Sequence, residues 1–193
     1  MAQRAQQKEL TRARILDAAY RLFSRQGLAA TTTLEVAKRA KVSHGLIFAH
    51  FATREELVTA VVAEFSERVV VRIHALVEAQ ASLREVLAAH LAGLAQHEAF
   101  YARLVTEGPS LPSMARATLI GIQSATAHHI AAAAEREMER SQIRRMPIPL
   151  LFNTWIGLIH HYLVNRDLFA PGESVLKRRG AELLEHYLGL LAP

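Results

Sequence analysis

The stretch Thr32-Thr-Leu-Glu-Val-Ala-Lys-Arg-Ala-Lys41-Val-Ser-His-Gly-Leu-Ile-Phe-Ala-His50-Phe51 decides the fold. It opens on Thr32-Thr33-Leu34-Glu35, a Ser/Thr-x-x-Glu capping box in which hydroxyl and carboxylate each accept a backbone N–H of the first helical turn. The box starts a short helix through Val36, Ala37 and Ala40. Lys41-Val42-Ser43 is a tight connection, and Ser43 caps a second helix of about two turns over 44–51. Ile47 and Phe51, four apart, share a face and pack inward against Val36, Ala37 and Leu22. His44, Leu46, Ala49 and His50 are left facing outward. Two short helices joined by such a turn, with basic residues around them, describe a helix-turn-helix. A second helix that enters a major groove must be short and must carry small or hydrogen-bonding groups outward. Gly45 at its start lets backbone approach a phosphate, and the free N–H groups there favour an anion. An ordinary helical hairpin shares this spacing.

Outward from that stretch every element reads as a helix. Ile15, Ala18, Ala19, Leu22 and Phe23 fall on one face of a helix over 11–26, which Gly27 stops. Further capping boxes at Thr53–Glu56 and Ser82–Glu85 start a long helix to 78 and another to about 97. Shorter and longer helices follow over 98–107, 113–140, 148–167 and 173–191, separated by Pro- and Gly-containing breaks. No alternating strand pattern occurs, so the class is all-α, with nine or ten helices. The division expected is a helix-turn-helix domain over 1–57 and a helical effector-binding and dimerisation domain over 58–193. On the last helix Leu176, Leu183, Leu184, Tyr187 and Leu191 form a stripe too apolar to face water alone. With the preceding helix it is expected to pair with a twofold mate as a four-helix bundle.

The 193 residues are 51% apolar and 21% charged, a globular balance. There is no cysteine, which removes disulfides and thiolate chemistry and fits a reducing compartment. The polar N-terminus has no secretory h-region. The least polar stretch, 148–164, carries Asn153, Thr154, His160 and His161 and reads as a buried helix rather than a span. A soluble, cytoplasmic protein is expected. Residues 1–57 hold ten Lys/Arg against five acids, while the remainder holds 13 of each. The whole positive excess thus sits in the first third, which suggests a polyanionic partner. Ten histidines invite a metal site, but His128-His129 and His160-His161 are adjacent and diverge by about 100° on a helix. No HExxH, P-loop, GxGxxG or G-x-S-x-G occurs. No metal, no cofactor and no catalytic residue are expected.

Arg14-Ile-Leu-Asp-Ala-Ala, Leu22-Phe23, Gly27, Thr31-Thr32-Thr33, Val36-Ala37, Ala40, Val42-Ser43-His44-Gly45, Phe48, His50-Phe51, Arg54-Glu55 and Leu57 together resemble the N-terminal signature of the TetR (tetracycline-repressor-like) family. The match runs without a gap over about residues 12–57. It implies an all-helical, homodimeric transcription regulator, usually a repressor, released from a palindromic operator by a small molecule. Carried over by position, it implies phosphate contacts from Thr33, Phe48, His50 and Arg54, with Thr32 and Lys41 also among the DNA-binding residues. His44, Gly45 and Leu46 would enter the groove and Ser43 would cap their helix. Four positions depart from the family pattern. Lys41 replaces the usual turn glycine, at a cost of roughly 1 kcal/mol if φ is positive, offset by a phosphate contact. Phe48 stands for tyrosine, Leu46 for a small or polar residue, and Ala52 for proline. Leu46 suggests apolar readout, for instance of a thymine methyl.

The rest of the chain resembles the family only in helix number and length. Phe100, Tyr101, Phe152 and Trp155 are the candidates for the wall of an effector pocket, and plain core packing is the competing reading of each. Gly121 and Gly157 inside helical patterns suggest close packing or space left for a ligand. The long helix over 53–78 is expected to carry the effector signal to the recognition helix. The expected partners are double-stranded operator DNA, an effector of unknown identity and a second copy of the chain, with no membrane. The reading from another class is a helical small-molecule-binding protein or enzyme whose basic end is incidental.

Overall fold

A computed structural model describes residues 2–78 and 80–193, with side chains over 3–68 and 80–193. The described residues form ten α-helices and no strand. They are α1 Ala2–Gln26, α2 Thr33–Ala40, α3 His44–His50, α4 Arg54–Glu78, α5 Leu83–Gln96, α6 Glu98–Glu107, α7 Ser113–Glu139, α8 Ile148–Val164, α9 Arg166–Phe169 and α10 Val175–Leu191, with a 3-10 turn at Gly108–Ser110. The all-α expectation and most boundaries agree with these elements. α1 differs: it begins nine residues before the expected start. The added stretch has no apolar periodicity and consists mainly of good helix formers, Ala, Gln, Arg, Lys, Glu and Leu.

The chain divides into two compact units, 1–65 with 99–119, and 66–98 with 120–193. Residues 99–119, read from sequence with the second domain, group with the N-terminal helices. The reason is specific. The Glu107 carboxylate accepts the N–H groups of Leu28 and Ala29 at 3.2 and 2.8 Å, and Arg103 Nη2 donates to the Arg25 carbonyl at 3.0 Å. Gly27, at φ 96°, permits the approach, because a Cβ there would lie 2.6 Å from a Glu107 oxygen. Beneath this clamp Tyr20 and Phe65 pack on Phe100 at ring separations of 4.8 and 5.4 Å.

In the second unit α10 packs on α5 and α8. Glu98 fixes the start of α10, accepting the Val175 and Leu176 N–H groups at 2.9 and 3.0 Å and the Ser174 hydroxyl. A buried carboxylate at a helix N-terminus also meets the positive end of the dipole. The apolar stripe of α10 turns toward these neighbours. Leu176, Leu183, Leu184, Tyr187 and Leu191 are each buried within the single chain. α5 and α8 thus already account for the burial of this stripe within one chain. Trp155 lies in the same core. Its indole N–H donates to His90 Nδ1 at 3.0 Å, its ring lies 5.0 Å from Tyr187, and the Tyr187 hydroxyl donates to the Leu151 carbonyl. Gly121 and Gly157 are exposed, with nothing within 4 Å of an added Cβ, so neither marks close packing inside the chain.

Candidate nucleic-acid interface

The first motif helix is closed at both ends by its own sequence. Thr32 Oγ1 accepts the Glu35 N–H at 3.2 Å and Glu35 accepts the Thr32 N–H at 2.8 Å, a complete capping box. The Thr32 N–H, the Thr32 hydroxyl and the Gln26 amide, all donating to the Glu35 carboxylate, hold its pKa below its ordinary value. At the other end Lys41 is left-handed, φ 56° and ψ 50°. Its N–H and that of Val42 return to Lys38 and Ala37, while Arg14 Nη2 donates to the freed Ala40 carbonyl at 2.7 Å. A lysine in this conformation forgoes about 1 kcal/mol relative to glycine. The turn therefore keeps a cation at the cost of local strain.

Ser43 then caps α3, accepting the Leu46 N–H at 3.3 Å. Ile47 and Phe51 are buried with Val36, Ala37, Ala40 and Leu22, as their spacing predicts. The opposite face is open. Leu46 is 36% and Phe48 45% exposed, and Leu34 on α2 is 47% exposed. His44, Gly45 and Ala49 are exposed and His50 is half-buried. Unpaired apolar area on so short a helix has no internal use. Gly45 is equally unexplained from within, since an added Cβ would meet nothing within 4 Å.

Two geometries were not legible in the sequence. Thr33 Oγ1 and His44 Nε2 lie 2.9 Å apart, joining the first turns of α2 and α3, and the His44 ring meets Phe48 edge-on at 5.2 Å. Both partners of this brace keep exposed surface. The other concerns Arg54, whose guanidinium turns inward to the carbonyls of Leu28 and Thr31. It holds the loop before α2, the same loop that Glu107 clamps from the other side. The start of α4 is set by Thr53, which accepts the Glu56 N–H at 3.0 Å, while Glu56 reaches back to the Ala52 N–H at 2.7 Å.

The pocket candidates do not come together within one unit. Phe100 and Tyr101 are buried in the first, the one edge-on to Phe65 and the other stacked on it, while Phe152 and Trp155 belong to the second, half-buried and fully buried. A groove of about 620 Å³ in the second unit runs along Arg84, Glu85, Arg136 and Arg140 and touches none of the four. Among the described residues no three His, Asp or Glu side chains converge as metal ligands, and no helix is long and apolar enough to cross a membrane.

Comparison with known proteins agrees with this geometry. The sequence model of the bacterial regulatory proteins of the tetR family matches residues 15–61. The HTH-type transcriptional repressor Rv3405c of Mycobacterium tuberculosis is 41% identical over 78 residues, 40% of each chain. The match thus spans well under half the length of that relative. Solved structures extend the likeness to the whole fold. The TetR-family regulator PfmR from Thermus thermophilus superposes with a TM-score of 0.74 at 18% identity, covering 92% of this chain and 96% of that one. FadR from Bacillus subtilis, solved in complex with stearoyl-CoA, gives 0.73 at 19% identity over 91% and 96%. Residues 15–61, which hold the capped helix pair, thus match the bacterial regulatory proteins of the tetR family, and the fold of the chain is that of the solved TetR-family regulators.

Proposed function

We propose that the chain is a transcriptional regulator, not an enzyme, that represses by binding a palindromic operator as a homodimer and releases it when a small molecule binds. The observation that carries the reading is the outer face of α3: exposed Leu46 and Phe48, an unfilled space at Gly45, and His44 braced to Thr33. A helix presenting such groups, beside the cation of Lys41, fits a major groove flanked by phosphates. Ser43 holds the helix start. His44, Gly45 and Leu46 approach base edges, while Thr32, Thr33, Lys41, Phe48 and His50 border the backbone. Arg54 acts as a positioning residue through the 28–31 loop. Binding to duplex DNA that falls linearly in log K against log salt is the expected result of an electrophoretic shift titration. Salt-independent binding, or none, contradicts the reading.

For the second copy of the chain the exposed row on α8 is better suited than the buried stripe of α10. Leu150 and Val164 are 57% and 54% exposed, Leu168 just beyond is 76% exposed, and Gly157 sits between with open space for a facing helix. Along α8 the spacing of seven and seven keeps Leu150, Gly157 and Val164 on one side. Val164→Glu is expected to give well-folded monomers in sedimentation, and Leu184→Glu to unfold the second unit. A dimeric Val164→Glu protein removes this assignment.

The same fold in FadR holds stearoyl-CoA, and we place the corresponding role here in the helices of 58–193, with Phe152 and Trp155 on its inner side. α6 offers the route to the DNA-binding helices, because it carries both Phe100 and Tyr101 in the ring cluster and Glu107 on the 28–29 loop. Linkage then requires operator DNA to weaken effector binding by the factor with which effector weakens operator binding.

A further inference from the structure

α1 continues well past the helices that support it. Its packed face starts at Thr11 and Ile15, and residues 3–10 are all exposed. The nine residues from 2 to 10 extend about 13 Å at 1.5 Å per residue. At about 100° per residue, Arg4, Lys8 and Arg12 form one row. That row continues the face on which Ile15, Ala19 and Leu22 are buried against the neighbouring helices. Where support ends, the inward face of α1 changes from apolar to basic. Arg12 fixes the direction, because its guanidinium lies 5.2 Å over the ring of Phe51, the residue that ends the recognition helix. Lys8 and Arg4 lie about one and two turns further out, and Glu9 is about 100° round from Lys8.

Helix stability does not account for this row. A first turn favours acidic side chains, whereas α1 has none there and has Arg4 instead. Residues 3–10 all stay exposed, with Leu10 alone partly covered at 56% exposure. A partner carrying regular negative charge, meeting the same compact unit that carries α3, supplies what is missing. We infer that the 2–12 segment of α1 is a second DNA contact, with Arg4 and Lys8 on the phosphates of duplex that flanks the site read by α3. This rests on the DNA-binding reading above and extends it from the groove to the flanks.

The test uses the full chain and two duplexes built on the site that it recovers from a random-sequence pool. One ends at the selected site, and the other continues for about ten base pairs, one turn, on each side. Wild type is expected to bind the extended duplex more tightly. Arg4→Glu/Lys8→Glu should weaken the extended complex about tenfold or more and lower its salt slope by about 2 per protomer, leaving the short complex unchanged. Arg4→Glu alone should raise helix content in far-ultraviolet circular dichroism, because the dipole now favours it. A merely structural row would show no dependence on flank length. Equal affinity and slope for double variant and wild type on the extended duplex overturn the overhang contact, as does equal weakening on both duplexes. A wild-type chain that binds neither duplex overturns the DNA reading itself.

Discussion

Lowering the pH from 6.5 toward 4 is expected to remove about 3 kcal/mol of stability through His90 alone. His90 is 3% exposed, and burial, with a further contribution from nearby His160, pushes its pKa down to about 4. The native state holds the ring neutral because Nδ1 accepts the Trp155 indole N–H, leaving the proton on Nε2. In the unfolded chain the ring protonates near its ordinary value. A depressed histidine therefore contributes its full stability above the unfolded pKa and loses it as pH falls toward the folded one. His160 and His97 are also lowered, each first by burial and His97 then by Arg68, so they act in the same direction. His90→Gln retains an acceptor for the indole but does not titrate. Chemical denaturation at pH 7, 6, 5 and 4 should show the wild-type curve falling away from the variant's by about that amount. Parallel pH profiles would mean that His90 is not the buried neutral partner of Trp155.

Gly45→Ala is expected to separate folding from binding. The glycine has ordinary helical backbone and its Cβ position is empty, so alanine should stabilise α3 by about 0.5–1 kcal/mol. If backbone at the start of α3 closes on a phosphate, the same methyl group intrudes at the contact. Operator affinity should then fall about tenfold or more, within the 1–3 kcal/mol of a lost contact. Thermal denaturation and anisotropy titration on the same preparation read both effects. A variant gaining stability with unchanged affinity would remove Gly45 from the interface.

Most of the helix-turn-helix was legible because its determinants are local. The Thr32–Glu35 box, the Ser43 cap and the Ile47/Phe51 spacing all act within one turn of chain. The positive φ at Lys41 followed from a lysine standing at a glycine position. What stayed hidden was long-range. Arg54 is a cation at a helix start whether it faces a phosphate or, as found, the carbonyls of Leu28 and Thr31. Glu107 gives no sign of the loop 78 residues away that it clamps. The stripe on α10 announces burial but not the burying partner, since apolar periodicity reads the same for a neighbour in the chain and for a second copy. Trp155 and Phe100 are ambiguous for the same reason: both are buried, as a core residue and a pocket wall each can be. The α1 overhang was missed because the expected start rested on apolar periodicity, and that face becomes basic there.

The most direct test of the account is selection of duplex DNA from a random pool by wild type and by Leu46→Ala, followed by sequencing. The wild-type chain should recover one palindromic site, with half-site centres about one helical turn, 34–36 Å, apart. Leu46→Ala should recover the same site with relaxed preference at one or two positions in each half, where a thymine methyl had met the leucine. Identical preference profiles would contradict the assignment of Leu46 to readout. Recovery of no common sequence by wild type would contradict the claim that residues 32–51 read DNA at all.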